Sequence, residues 1–284
     1  MEIFASREDD GIHIIKMPMI MDHTNIQAFE TAKAEWLKKA CLFHVMDLAH
    51  VVAIMPTAQP PLSQFYKELR EQDKSLFSIH TPEELVLQLK RDGLFSIFNP
   101  VENLEVVHRL LEMKKAKKEE LRSRILADVI NSFTGAIDEI FKNNIGLDPI
   151  SEPPYLKNIG EAYLFNIGAR IDLELDGFRF SAAIQFDNKV FENVFDCFVD
   201  RDHQTSPENL FTNEDDLKRI TKKILNPIFN LAKLNLKEKN KTLSKQSLPE
   251  FLFGENLYLH KANAAIVVEF LTAAGAFQLE VAIR

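Results

Sequence analysis

The sequence predicts two domains of different class: an α/β domain over residues 1–113 and an α+β domain over residues 125–284, joined by a charged helical linker at 114–124. Three observations predict this. Short apolar runs alternate with helical periodicity from residue 11 to 113, the order that builds a sheet with helices packed on it. From residue 125 the order changes to strands, helices and a terminal hairpin, as an α+β sheet requires. Between them, Lys114, Lys115, Lys117, Lys118, Glu119, Glu120, Arg122 and Arg124 crowd a stretch without Gly or Pro. With 284 residues and 46% hydrophobic content, the chain can bury one large core or two ordinary ones, and its length favours two.

In the first domain, residues 12–15 and 17–21 read as strands, and 25–39 as a helix starting near the cap-competent Asp22 and Thr24. Residues 41–48 form an apolar strand, 62–72 a helix with Pro61 in its first turn, and 76–79 a strand. Residues 82–91 read as a helix with Thr81 as N-cap and Pro82 at N1, followed by a strand at 94–98 and a last helix after Asn99-Pro100. Helix-compatible residues then run from 102 to about 143, so the linker reads as one semi-rigid helix that holds the two domains in a fixed orientation. Its charges at i,i+4 spacing suit a solvated face; a basic docking patch is the alternative.

In the second domain, Val129, Phe133, Ile137, Ile140 and Phe141 share one helical face that ends near Asn144 and Gly146. Strands 163–172 and 178–186 flank Asp176-Gly177, the strongest short hairpin signal in the chain. A short helix covers 190–198, and 215–236 is helical, with a kink or restart expected at Pro227 because proline removes a helix donor. Residues 237–247 read as a Lys-rich loop, either a solvated connection or a docking element, and 264–269 pairs with 277–283 around Ala273-Ala274-Gly275.

A formal charge of -8 and a pI near 5.6 argue against binding duplex nucleic acid, which needs a basic stripe to neutralise phosphates. The N-terminal residues show no secretory signal, and the best apolar stretches, 42–55 and 262–277, are interrupted by Asp47 and Glu269 and too short to span a bilayer. Cys41 and Cys197 both stand in apolar surroundings and read as reduced, buried thiols. His44 and His50 are the one close histidine pair, without ligand spacing, so no metal is expected. No Gly-rich phosphate loop or nucleophile elbow occurs, so no cofactor is expected either, and most of the 22 Phe residues read as core.

Two resemblances organise these elements. The strand ending Met46-Asp47-Leu48-Ala49-His50-Val51, the loop and helix after it, and Thr81-Pro82-Glu83-Glu84-Leu85 together resemble a STAS domain, the fold of anti-sigma-factor antagonists. The resemblance implies a mixed sheet with helices and a regulatory phosphoserine loop. Met55-Pro56-Thr57-Ala58 stands in that loop's place, with Pro56 at the phosphoserine position; Thr57 is the candidate phosphosite, and a rigid loop feeding a helix is the simpler reading.

In the second domain, Asn226-Pro227-Ile228-Phe229-Asn230-Leu231-Ala232-Lys233, then Leu248-Pro249-Glu250-Phe251-Leu252-Phe253-Gly254, then Ala274-Gly275-Ala276-Phe277 resemble the CheX family of chemotaxis phosphatases. The resemblance implies a sheet with long helices packed on it, a homodimer and a phosphorylated receiver domain as partner. In that family a Glu-x2-Asn dyad acts: Asn orients the water that attacks the aspartyl phosphate, and Glu pairs with a receiver Lys. Asn226 fills the first position, and Lys223 stands at the dyad Glu position. An ammonium against the receiver Lys costs about 1 kcal/mol in water and roughly 4 at a partly desolvated surface. Asn before Pro is also a good N-cap followed by N1, so Asn226 can equally cap a restarted helix. The chain therefore reads as a cytoplasmic bacterial signalling protein: either a non-catalytic binding or scaffold module, or a response-regulator phosphatase using Asn226.

Overall fold

The computed structural model describes residues 3–158, 166–202, 214–239, 241–254 and 264–283. The chain divides into two compact units, Met1–Glu119 and Glu120–Arg284.

The first unit opens with β1 (Ser6–Asp9) and β2 (Ile12–Lys16), an antiparallel hairpin. Its turn holds Asp10 at φ 45° and Gly11 at φ 85°, the left-handed pair that a two-residue hairpin loop demands. The chain continues through β3 (Ile20–Met21), α1 (Ile26–Lys38), β4 (Phe43–Asp47) and β5 (Ala53–Ile54). It then runs through a 3-10 turn (Pro56–Ala58), α2 (Gln59–Glu71), β6 (Ser75–Ile79), α3 (Glu83–Arg91) and α4 (Phe95–Phe98) into α5 (Leu104–Ile140).

The main sheet has the order β1-β2-β4-β6, with β2, β4 and β6 parallel. Strand alternation splits the core in two. Ile12, Ile14, Phe43, Val45, Phe77 and Ile79 pack on one face against Val107 and Leu111 of α5. Ile15, Met46 and Leu76 pack on the other against Phe29 and Trp36 of α1 and Leu62, Phe65 and Leu69 of α2. This is the mixed sheet with helices that the sequence predicts.

Several local expectations change. The expected strand 94–98 is instead the helical turn Phe95–Phe98 with Leu94 as its N-cap: Leu94 and Phe98 are both buried at i,i+4 spacing while Phe95 and Ser96 are exposed, and Asn99 ends the turn at φ 43°. A short, mostly apolar run does not settle its own period, and here the helical one wins. Pro82, not Thr81, is the N-cap of α3; the Thr81 hydroxyl instead lies 3.2 Å from Ser78 Oγ. The expected strand 17–21 shrinks to Ile20–Met21, and α2 begins at Gln59 with Pro60 and Pro61 in its first turn.

The unit boundary falls inside α5, one helix from Leu104 to Ile140 that contains the whole charged stretch. In the second unit α5 buries Ile125, Val129, Phe133, Ile137 and then Phe141, which begins a π turn (Phe141–Ile145) closed by Gly146 at φ 86°. The turn delivers the Phe141 ring onto Phe277, stacked at 4.7 Å; Phe277 in turn stacks on Phe186 at 4.9 Å and Phe270 at 5.0 Å. The order continues β7 (Ile150–Ser151), β8 (Tyr155–Asn158), β9 (Ile167–Leu175), β10 (Phe178–Phe186), α6 (Asn188–Asp202) and α7 (Glu214–Glu238). It closes with β11 (Leu243–Gln246), β12 (Glu250–Phe253), β13 (Ala264–Thr272) and β14 (Gly275–Ile283).

These strands form one antiparallel sheet of order β11-β9-β10-β14-β13-β7, with β12 also on β9 and β8 also on β13. The Asp176-Gly177 turn joins β9 to β10 in register, Leu175 opposite Phe178. Part of the expected strand 163–172, residues 163–165, lies outside the described residues. Helices α5, α6 and α7 share a single core with the inward side chains of β9, β10, β13 and β14. The expected loop 237–247 contains strand β11, and Cys197 is half-buried where a buried thiol was expected; neither Cys41 nor Cys197 is in a disulfide.

Candidate functional site

Helix α7 is amphipathic over its whole length. Ile220, Thr221, Ile224, Leu225, Ile228, Phe229, Ala232 and Leu236 are buried, while Lys218, Arg219, Lys222, Lys223 and Asn230 are exposed. Pro227 does not restart it: the helix is continuous from Glu214 to Glu238. Magnitudes explain why. An internal proline costs about 3 kcal/mol, whereas burying Ile224, Leu225, Ile228 and Phe229 contributes roughly 6–12 kcal/mol at about 1.5–3 each. The cost stays local, because the ring lacks the N–H that would bond to the carbonyl four residues back, that of Lys223.

Asn226 is thus a mid-helix residue, and the expectation that it caps a new helix is overturned by this continuity. Its side chain is half-buried one turn after Lys223, whose ammonium is exposed. Both line an open groove of 540 Å³ together with Asp215, Lys218, Arg219 and Lys222. Spacings of three and four residues place Asp215, Arg219, Lys222, Lys223 and Asn226 along one side of the helix. Arg219 pairs with Asp216 at 3.2 Å, and Lys222 lies 5.8 Å over the ring of Phe251. Strand β12, inside the Pro249-to-Gly254 segment, therefore flanks the basic face.

Among the described residues lining the groove, Asp215 is the one carboxylate. It lies eleven positions before Asn226 on the helix, about 16 Å along the axis. It cannot replace the missing Glu beside Asn226. Further along, Lys233 is half-buried, and burial followed by the charge of Lys237 lowers its pKa below the usual lysine value.

Thr57 is exposed in the 3-10 turn of the first unit, so it and Asn226 belong to different units. His44 and His50 do not form a pair. His44 is buried in β4, its Nδ1 3.1 Å from Nδ1 of the equally buried His13 on β2, while His50 is exposed. Among the described residues no group of three or more His, Cys, Asp or Glu can hold a metal ion, and no helix is long and apolar enough to cross a membrane. The sequence reading missed the basic groove, although Lys218-Arg219 and Lys222-Lys223 repeat at i,i+4 and signal one cationic helical face.

No family model and no curated protein matches the sequence. Among solved structures, the chain is similar to the chemotaxis protein CheX from Desulfovibrio desulfuricans, with 18% identity and a TM-score of 0.45 over 55% of this chain and 99% of that one. It is also similar to a CheX–CheY complex from Borrelia burgdorferi, with 20% identity and a TM-score of 0.42 over 55% of this chain and 97% of that one. A Thermotoga maritima protein described as an anti-sigma factor antagonist matches 38% of this chain and 94% of its own, with 16% identity and a TM-score of 0.35. These likenesses concern the fold and carry nothing about activity. In fold, the chain is similar to CheX and CheC-like chemotaxis proteins over 55% of its length and to an anti-sigma-factor antagonist over 38%.

Proposed function

We propose that the second unit is a non-catalytic docking module of a bacterial signalling protein, binding its partner along the α7 groove. One observation carries this reading: Lys223 stands one turn before Asn226 on a continuous helix, in a groove whose other cations are Lys218, Arg219 and Lys222. A cationic face recruits an acidic surface by charge complementarity, and it repels the receiver lysine that a dyad Glu would meet. A receiver domain that presents its carboxylates, or another acidic signalling protein, fits this groove. A homodimer paired through the sheets belongs to the same reading. Light scattering at high concentration should then return twice 32.6 kDa, and a value of 32.6 kDa would remove the dimer.

A second reading, an aspartyl-phosphate phosphatase using Asn226, gains one point from the fold. The Asn226 carboxamide is not consumed by a helix cap and has no hydrogen-bond partner among the described residues, so it is available to orient a water. Decay rates of several phosphorylated receiver domains, measured with the protein and with Asn226→Ala, separate the two. Decay unchanged by either protein supports docking without catalysis. Acceleration that disappears in Asn226→Ala makes the protein an enzyme despite Lys223. Lys223→Glu then asks whether restoring the dyad confers activity on the docking face.

A further inference from the structure

The C-terminal ends of the parallel strands in the first unit carry a second constellation, unconnected with the α7 groove. Asp47 ends β4 and His80 follows β6, its neighbour in the sheet. His80 Nδ1 lies 2.9 Å from Asp47 Oδ1, which also accepts the Ala49 N–H at 3.2 Å. A carboxylate accepts, so the Nδ1–H must donate, and the ring's lone pair then resides on Nε2. The Asp47 side chain is largely covered at 19% exposure, whereas that of His80 is 51% exposed.

The backbone adds an independent sign. His80 is held at φ 52°, a left-handed conformation that Gly or Asn adopts at lower cost. The surroundings suit an incoming anion. Lys16 is the register partner of Asp47 on β2 and is exposed. The chain leaving β6 passes Val101, whose N–H bonds to Ser78 O at 2.8 Å, and enters α5 at Leu104, which packs on the cluster containing Ile79. The positive end of α5 therefore lies at this same edge of the sheet. Among the described residues no third metal ligand joins the pair.

We infer that His80 is a phosphoryl-accepting imidazole oriented by Asp47, taking its phosphoryl group from an N–P donor of the phosphoramidate class. In the step, the Nε2 lone pair forms a bond to phosphorus while the donor's P–N bond breaks. In zwitterionic phosphoramidate the nitrogen already carries three protons, so it takes the P–N electron pair and leaves as ammonia, and no electrons are exchanged with any other reagent. The product ring keeps its Nδ1–H and becomes a cation, which the Asp47 carboxylate offsets. Asp47 is a positioning residue, because it acts through His80.

The test treats the full chain with phosphoramidate and follows the label by phosphorus NMR and by fragmentation mass spectrometry at neutral and alkaline pH. The expected result is one base-stable, acid-labile phosphoryl group on His80. His80→Gly, which suits the left-handed backbone, should lose it. Asp47→Asn should label about tenfold more slowly or worse, because a charge-assisted hydrogen bond is lost. Asp47→Glu should recover part of the rate, a rescue that a purely structural role would not give, and unchanged Trp36 emission checks the fold of each variant. Labelling of the exposed His50 at the rate of His80, an unaffected Asp47→Asn, or an unlabelled His80 would each overturn the assignment.

Discussion

Lowering the pH from 7 to 5 should destabilise the first unit steeply, through two histidines buried in its core. His13 and His44 face each other across β2 and β4 with 0% exposure, against Trp36 and Phe65. Burial pushes the His13 pKa down to about 4, helped by Lys39, partly opposed by Glu8 and helped again by Lys74; burial, His13 and Lys74 push His44 down to about 3. In the unfolded chain both titrate near 6.5. Their contribution is therefore fully present above pH 6.5 and is lost as the pH falls toward the folded values, because the unfolded state binds the protons first. Between pH 7 and pH 5 the loss is about 2 kcal/mol per histidine, roughly 4 kcal/mol for the pair. Trp36 is the single tryptophan of the chain and touches His13, so its fluorescence reports this core alone. With a urea slope near 2 kcal/mol/M, the Trp36 midpoint should fall by about 2 M between pH 7 and pH 5. A double variant, His13→Leu with His44→Leu, should be nearly flat over the same range. The reasoning fails if the wild-type midpoint does not move, or if the double variant moves as much.

Other perturbations bear on the second unit. Phe277→Ala removes the ring on which Phe141, Phe186 and Phe270 all stack, and should cost about 3–5 kcal/mol in equilibrium unfolding followed by circular dichroism. Gly275→Ala should destabilise by more than 1 kcal/mol on the same measurement, because its Cβ would lie 2.4 Å from Val190 Cγ2 and its φ of 124° strains any residue with a side chain. Pro227→Ala supplies the missing helix donor and should raise stability by about 1–3 kcal/mol, seen as a later denaturant midpoint.

What the sequence made legible follows from how much each signal depended on neighbours along the chain. The Asp176-Gly177 hairpin, the apolar stripe from Val129 to Phe141 and the β13–β14 hairpin all rest on local chemistry, and all appear where expected. Residues 94–98 misled because the choice between periods was made by burial of Leu94 and Phe98 in a core assembled from distant segments. Strand β1 was missed although Asp10-Gly11 is the same kind of turn as Asp176-Gly177; its residues, Ser6 to Asp9, are polar and carry no apolar alternation. Strands β7, β8, β11 and β12 are two to four residues long and gain their pairing from β9 and β13, which no local pattern announces. For the candidate site, the spacing that sets Asn226 one helical turn after Lys223 was legible once the segment read as a helix. The effect of Pro227 was not, because it depended on tertiary burial exceeding a local cost. Nor was the Asp47–His80 pair, whose members are 33 residues apart and meet through parallel strands.

The hydrogen bond that Pro227 withholds from the Lys223 carbonyl has a consequence in time as well as in energy. A helix opens most readily where its ladder is broken, so α7 should behave on the hydrogen-exchange timescale as two segments. The segment from Ile228 to Leu236, seated in the core, should exchange slowly. The turns from Lys218 to Asn226 carry the groove on their exposed side while Ile220, Ile224 and Leu225 hold their other side in the core, so they should exchange faster than the segment after the proline without the sheet beneath unfolding. A partner lying along those turns would supply the missing cohesion, and its footprint would be read as slowed exchange that stops at the proline.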